Sequence, residues 1–322
     1  MDILYIAHGG FGDVSLTTAW PRMWSERGHV TDVFLMLYTG NPFHKNPYIR
    51  KICLSRQGKY AEDLSAMLSE FKYDKIVIIN NSNTGVGEII KLIENKGNAV
   101  ILETWEVNSN DLTPPQMLPE WHYDKSELDY VLKNYSEKSV VFHPFCSSSS
   151  ENSRNVDFEL IKNCHKYMKS IVVAHGGVAI KSPELPQLEN LGIKLLWEGY
   201  NCFNDDDGQA IGKLIALTSI CDVSVHGWSG SFTIPMGLNK PFVMIVPGDS
   251  LRNNQSSPYK ETKQVFWEEL NYIRGQTGVI GNGYKGCSAW CATNNFNVVI
   301  TAINSVLDGK SVMYTDNKWI SI

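Results

Sequence analysis

The chain of 322 residues is longer than one ordinary domain, so we expect two domains of about 150 residues each. Its 43% hydrophobic and 20% charged residues are typical of a globular protein with a sizeable core, and they exclude a disordered, collagen-like or coiled-coil chain. The net charge of −5 disfavours nucleic acid as a partner, because proteins that bind nucleic acid usually carry a basic surface.

The N-terminal segment and the cysteines predict a cytoplasmic protein. Residues 1–8 lack a basic region and their apolar run is short, so we expect no signal peptide. No stretch reaches the ~18 apolar residues of a membrane span. The seven cysteines are scattered and odd in number, which favours reduced thiols over a disulfide framework. Cys287 and Cys291 have a CxxxC spacing that is not that of a zinc site, and we expect no metal.

Strand-like and helix-like segments alternate along the first half. The periodicity predicts strands at 3–7, 31–38, 75–80 and 99–102, and helices at 13–27, 60–71 and 86–95. Pro21 predicts a kink or a late start in the first helix, and Gly28 lies where a C-cap is expected. This alternation indicates βαβ units and a parallel sheet. Residues 108–121 contain three prolines and are interpreted as a loop or linker.

The same alternation then begins again. We predict strands at 139–143, 171–174, 194–197, 223–226 and 241–246, and helices at 127–135, 158–168, 208–218 and 296–307. The repeated series predicts an α/β protein of two Rossmann-like domains with parallel sheets, with a boundary near residue 137. We therefore assign residues 1–137 to the first domain and residues 138–322 to the second.

The first strand runs into a glycine loop, which comprises His8, Gly9, Gly10, Phe11, Gly12 and Asp13. Backbone N–H groups between a strand and a helix suit an anion, and glycine lets a ligand approach closely. A dinucleotide fingerprint does not fit, because Ser15 occupies its third glycine position and no acidic residue closes the second strand. Asp13 is either a helix N-cap or a general base that faces a cleft.

A second polar loop follows the first strand of the second half. It contains His143 and a serine run with an arginine, of which the candidates are Ser147, Ser148, Ser149 and Arg154. Hydroxyls and a guanidinium can cradle a phosphate, whereas a serine run alone is also typical of a flexible surface loop. The position at the carboxyl end of a parallel strand favours a ligand, since open α/β sheets bind ligands there.

A third loop of small residues follows the strand at 223–226, and its candidates are His226, Trp228, Ser229, Gly230 and Ser231. The backbone amides of Gly230 and Ser231 are the groups we expect to meet a diphosphate. Ser229 also matches the G-x-S-x-G hydrolase elbow, but no histidine follows it in the chain, so the hydrolase interpretation fails. Histidines 8, 143, 175 and 226 all end predicted strands, and we favour ligand contact over a metal for them.

These loops together resemble family 9 glycosyltransferases, the heptosyltransferase family. The segment from Gly9 to Thr18 resembles the family's GGxGDxxLTTP opening, and Asn41–Ile49 resembles its NPYI element. His143 and Pro144 with Arg154 are similar to its HPGxxxxxKxWP loop. Three further segments carry the likeness: His175-Gly176-Gly177, Ser229-Gly230 with Gly237–Pro241, and Cys287–Cys291 before the last helix.

The resemblance implies a GT-B architecture, in which two Rossmann-like domains face a central cleft. It implies an inverting, metal-independent transfer of a hexosyl, pentosyl or heptosyl group without a cofactor. The first domain would take the hydroxyl acceptor, a glycan or another molecule, and the second the nucleotide-sugar donor, bound by the second and third loops and by Gly176 and Gly177. Asp13 would be the base. The last helix, after about residue 305, would cross back to the first domain.

The third loop departs from the family pattern. Where the family has Asp-Thr-Gly-x-x-His, this chain has residues 228–233, Trp-Ser-Gly-Ser-Phe-Thr, and His226 lies two residues upstream of Trp228. Three alternatives therefore stay open beside transfer to a glycan. They are a phage-type glycosyltransferase that acts on a modified base in DNA, a nucleotide-sugar epimerase, and a non-catalytic protein that binds nucleotide-sugars.

Overall fold

The computed structural model describes residues 1–36, 40–56, 58–80, 86–94, 99–103, 118–135, 138–144, 156–174, 183–197, 209–246, 267, 270–271 and 283–322. Within these residues the first half forms a five-stranded parallel sheet in the order β3-β2-β1-β4-β5. Its strands are β1 (Asp2–Ala7), β2 (Val30–Met36), β3 (Ile49–Ser55), β4 (Lys75–Asn80) and β5 (Ala99–Glu103).

The second half forms an eight-stranded sheet in the order β13-β12-β11-β10-β9-β6-β7-β8. All neighbouring strands are parallel except β12 and β13, which form an antiparallel hairpin. The strands are β6 (Val140–His143), β7 (Ser170–Val173), β8 (Lys194–Leu196), β9 (Val223–Gly227), β10 (Phe242–Ile245), β11 (Ser288–Cys291), β12 (Val312–Thr315) and β13 (Lys318–Ser321).

Helices cover both sheets. Those of the first half are α1 (Phe11–Ser15), α2 (Trp20–Glu26), α3 (Tyr60–Glu70) and α4 (Val86–Glu94). The others are α5 (Lys125–Asn134), α6 (Phe158–His165), α7 (Leu185–Asn190), α8 (Gln209–Ile220), α9 (Thr233–Gly237) and α10 (Phe296–Leu307), with a 3₁₀ helix at Gly230–Phe232. In the part of the chain that the structure describes, no helix has the length and apolar character needed to span a bilayer.

The strands are apolar on both faces because both faces are buried. In β1, Ile3 and Tyr5 pack with Trp24 on one side, whereas Leu4 and Ile6 pack with α3 and α4 on the other. The second sheet is covered by α6 and α10 on one face and by α5 and α8 on the other. Continuous apolar strands of this kind are typical of parallel sheets between helical layers. The predicted α/β class with two parallel sheets is therefore confirmed.

The predicted helix at 13–27 is two helices in the structure. Helix α1 ends at Ser15, turns occupy 16–19, and α2 begins at Trp20 with Pro21 in its first turn. Proline lacks the N–H that a helix interior needs, so it is tolerated only near such a start. Gly28, at a φ of 77°, follows the end of α2 as predicted.

Strands β3, β11, β12 and β13 were not predicted from the sequence. The hairpin at the C-terminus has a recognisable signal, since Asp316 and Asn317 have φ values of 51° and 58° and link β12 to β13. A two-residue loop with two positive φ values is a type I′ turn, and it favours Asp and Asn.

The resemblance implied that the last helix would cross back to the first domain. In the structure this helix stays in the second half. Helix α10 packs against α6 and against β9 to β12 of the second sheet, where Val299 and Ile303 are completely buried. The following residues form β12 and β13 in that same sheet. The apolar face of α10 is therefore already used within the second half. Helix α5, which precedes residue 137, also packs on the second half, against α8.

Candidate functional site

The carboxyl ends of β6 and β9 mark the point where the strand order of the second sheet reverses. β7 lies beside β6 and β10 lies beside β9, so the connections leave these two strands in opposite directions. Open α/β sheets bind ligands in the crevice outside such a point. His143 and His226 are paired across it in register. The first sheet has the corresponding reversal between β1 and β4, where His8 follows β1.

The rings of His143 and His226 stack on each other, with centroids 4.1 Å apart and an interplanar angle of 20°. Both side chains are buried, with residue exposures of 2% and 0%. Burial lowers the pKa of His143 to about 3. Burial, and secondly the neighbouring His143, lower the pKa of His226 well below its usual value. Two stacked imidazoles are therefore neutral at pH 7.

Both ring nitrogens of His226 have a serine partner. Nε2 lies 2.8 Å from the hydroxyl of Ser224, and Nδ1 lies 2.7 Å from the hydroxyl of Ser231. The Ser231 hydroxyl is in turn 2.8 Å from that of Ser229. We expected His226 to contact the donor, but its complete burial places it behind Ser231 instead. Ser224 was missed, although a serine two residues before a histidine on a strand faces the same side.

Residues 228–233 form a compact turn at the surface. The Ser229 side chain accepts the backbone N–H of Ser231 and caps the 3₁₀ helix, and the Thr233 hydroxyl donates to the carbonyl of Gly230 at 2.6 Å. Ser229 and Gly230 are partly exposed. Trp228 is also partly exposed and packs against a cluster around Phe242 and Trp290. Within the turn, Trp228, Ser229 and Gly230 are thus partly accessible, whereas Ser231 and Thr233 are buried.

The glycine loop of the first half touches this turn directly. Helix α1 packs against the 3₁₀ helix. A Cβ placed on Gly12 would lie 2.8 Å from the Cα of Gly230, closer than real Cβ atoms come to another atom. Glycine at both positions is therefore required for this approach of the two backbones. The loops after β1 and β9, which lie in different halves of the chain, are therefore in direct contact here.

The remaining residues of the glycine loop surround this contact. His8 is 5% exposed and burial lowers its pKa, while Gly9 has a φ of 139°. The carbonyl of Gly10 accepts the N–H of Val14 at 3.1 Å. Asp13 lies within α1, one residue after Gly12, and its side chain falls outside the described part of the structure.

Trp121 contacts residues of both halves. It was not among the predicted site residues, because it lies in the segment interpreted as a linker. Its ring stacks on that of Phe11 with centroids 5.7 Å apart, and its indole N–H donates to the carbonyl of Thr233 at 2.9 Å. A Cβ on Gly237 would be 2.6 Å from the indole Cδ1. An aromatic residue after a proline-rich stretch is the one signal that could have found it.

A buried histidine and glutamate connect the Asn-Pro segment of the first half to α5, the helix that packs on the second half. The Nε2 atom of His44 lies 2.6 Å from a carboxylate oxygen of Glu127 in α5, and both residues are 3% exposed. Glu127 also closes the capping box of α5 with Asp124. The Asn-Pro segment around His44 is also tied to the turn after α1, because the Asn46 side chain donates to the carbonyl of Thr18 at 3.0 Å.

Part of the predicted donor site lies outside the described residues. These candidates are Ser147, Ser148, Ser149, Arg154, Gly176 and Gly177. Their assignment stays a prediction, as does that of the Asp13 carboxylate. The described part of the site consists of the Gly12–Gly230 contact, the stacked histidines and the serine chain.

No protein-family model and no curated protein sequence matches the chain. Solved structures do match it. A family 9 glycosyl transferase from Veillonella parvula has a TM-score of 0.60 at 13% identity, over 95% of this chain and 97% of that one. E. coli ADP-heptose LPS heptosyltransferase II has a TM-score of 0.54 at 14% identity, over 77% and 85%. E. coli heptosyltransferase WaaC with ADP has a TM-score of 0.53 at 12% identity, over 95% of this chain and 100% of that one. The chain therefore has the GT-B fold that its motifs implied.

Proposed function

We propose that this protein is a glycosyltransferase that moves a sugar from a nucleotide-sugar to an acceptor hydroxyl, with inversion and without a metal. The observation that carries the proposal is the contact between Gly12 and Gly230, which brings the loop of Asp13 against the small-residue turn of the second half. The fold shared with heptosyltransferase structures supports it. Residues 1–137 then serve as the acceptor domain and residues 138–322 as the donor domain.

Asp13 is the general base of this proposal. Its carboxylate removes the proton from the acceptor hydroxyl as the oxygen attacks the anomeric carbon of the donor sugar. The bond between that carbon and the diphosphate oxygen breaks, and the nucleoside diphosphate leaves with the electron pair. The hydroxyl of Ser229, the amide of Gly230, and the serines and arginine of the second loop stabilise the charge that develops on the leaving group.

The donor class follows from the same neighbours, one of which holds ADP and another of which is named for ADP-heptose. We propose a nucleoside diphosphate sugar as donor and a glycan hydroxyl as acceptor. The five cysteines in the described part of the chain are all free, namely Cys53, Cys164, Cys221, Cys287 and Cys291. Free thiols support a reducing compartment, and we propose the cytoplasm.

The test is release of nucleoside diphosphate from a panel of nucleotide-sugars, with and without glycan acceptors, by the wild type and by Asp13→Asn. Removing a general base costs about 10²- to 10⁴-fold in rate, whereas nucleotide binding should not change. Asp129→Asn is the matched control, because this aspartate forms an exposed pair with Lys125 on α5. Full activity of Asp13→Asn overturns the base assignment. Donor conversion to an epimer without transfer overturns the proposed reaction.

A further inference from the structure

A chain of polar groups runs from the interior of the second half to its surface turn. It begins at the Ser224 hydroxyl, passes through both nitrogens of His226, and continues through the hydroxyls of Ser231 and Ser229. Ser224 and His226 are completely buried and Ser231 is 5% exposed, whereas Ser229 is partly exposed. The inner end is therefore shielded from water, and the outer end lies beside the Gly12–Gly230 contact.

The imidazole of His226 carries one proton in this setting. Burial and the stacked His143 both lower its pKa, so the neutral form is present at pH 7. A neutral imidazole donates from one nitrogen and accepts at the other. The direction of donation from Ser224 through His226 and Ser231 to Ser229 therefore reverses between the two tautomers.

With the proton on Nδ1, His226 donates to Ser231 and accepts from Ser224. The Ser231 hydroxyl then donates to Ser229, whose oxygen also accepts the Ser231 backbone N–H, so the Ser229 proton points outward. With the proton on Nε2, Ser231 donates to the ring instead. Ser229 then donates inward to Ser231, and the surface is left with lone pairs that repel an anion.

We propose that His226 is a positioning residue: through Ser231 it directs the hydroxyl of Ser229 outward, as a hydrogen-bond donor to the diphosphate of the nucleotide-sugar. This inference rests on the proposed function, because it concerns the same donor site. An anion at Ser229 selects the Nδ1–H tautomer, since only that form offers it a proton. His226 thus takes part in donor recognition without touching the donor.

The first experiment measures nucleotide affinity by calorimetry with ADP, UDP, GDP and CDP. His226→Phe keeps a stacked ring but breaks the chain, and binding should weaken about ten- to a hundredfold, as expected for a hydrogen bond to a charged group. His226→Asn places an amide near the Nδ1 position and should recover most of the affinity. His165→Phe, at the end of α6, is the matched control and should bind as the wild type does.

A second pair of variants tests the direction of the outer hydroxyl. Ser229→Thr keeps the cap and the proton, so affinity should stay within about threefold of the wild type. Ser229→Asp keeps an acceptor for the Ser231 N–H, a good N-cap, but brings a negative charge to the anion. It should fold and lose nucleotide binding. Equal nucleotide affinity of the Thr and Asp variants overturns the proposal.

The tautomer itself is read from ¹⁵N chemical shifts of the histidine rings, with His226 assigned by the loss of its signals in His226→Phe. The nucleotide-bound protein should show His226 protonated on Nδ1, and an Nε2–H form overturns the inference. If the wild type binds a nucleotide and His226→Phe binds it equally well, the inference alone fails. If the wild type binds no nucleoside diphosphate, both the proposed function and this inference are overturned.

Discussion

Gly12 and Gly230 lie backbone to backbone, although their positions in the chain are 218 apart. A Cβ on either residue would come within 2.8 Å of the Cα of the other. Gly12 follows the first strand of the first sheet, and Gly230 follows β9 of the second. This contact joins the glycine loop of the first half to the small-residue turn of the second, so the candidate site takes residues from both halves.

Gly230→Ala should separate the two loops. The new Cβ would lie 2.5 Å from the Cα of Gly12, and because that atom belongs to the backbone, the halves must move apart. A displacement of about 1 Å at a reacting centre can cost about 100-fold in rate, so we expect a loss of that size in kcat/KM for transfer. Gly87→Ala in α4 is the control, since among the described residues no atom beyond its chain neighbours and its own helix backbone lies within 4 Å of the new Cβ. Wild-type transfer by Gly230→Ala contradicts this role.

Stability should fall as the pH is lowered from about 6.5 toward 3. The pKa of His143 is about 3 in the folded protein, and that of His226 also lies well below its usual value. The unfolded chain therefore binds more protons in this range, so the free energy of unfolding decreases as the pH falls. For His143 the loss is on the order of 1 kcal/mol at about pH 5.5, and His226 changes stability in the same direction.

Urea denaturation at a series of pH values measures this effect. His143→Phe keeps a ring for stacking but cannot take up a proton, so its stability should depend less steeply on pH than that of the wild type. An identical slope for this variant would show that His143 does not carry the effect.

Arg50→Met should destabilise the first half by about 2–3 kcal/mol. Arg50 makes two hydrogen bonds, of 3.0 and 2.7 Å, to the carboxylate of Asp32, which is 0% exposed and also accepts from Tyr73 at 2.8 Å. Removing one partner of a buried pair costs about 3–5 kcal/mol, and the 35% exposure of the Arg50 side chain reduces this cost.

The neighbouring residue offers a matched control for that measurement. Lys51 pairs with Glu70 at the surface, so Lys51→Met should change the free energy of unfolding by less than about 1 kcal/mol. Equal effects of the two substitutions would contradict a special role for the Asp32 pair.

Trp121→Ala should cost about 3–5 kcal/mol in unfolding free energy, because a buried indole stacked on Phe11 is lost. Trp121→Phe keeps a ring there but loses the hydrogen bond to the Thr233 carbonyl, so it should cost about 1 kcal/mol from that bond. Chemical denaturation of both variants separates packing from hydrogen bonding. A larger loss for the Phe variant than for the Ala variant would overturn this division.

Most elements could be predicted from the sequence because their signals are local. The strand at Lys75–Asn80 and the helix at Phe296–Leu307 have the predicted bounds, since apolar periodicity is set by the dihedral repeat of the element itself. Edge and hairpin strands such as β3, β12 and β13 were missed. In β3 the cause is half-exposed side chains that give no clear apolar run.

The sequence by itself determined the two parallel sheets, the family likeness and the three loops at strand ends. Only the tertiary structure decided that Gly12 meets Gly230, that Trp121 links Phe11 to Thr233, and that His226 lies behind Ser231 with Ser224 on its other side. Periodicity places a side chain on a face of its own element. Which distant backbone approaches it, and whether water reaches it, depend on how the two halves pack together.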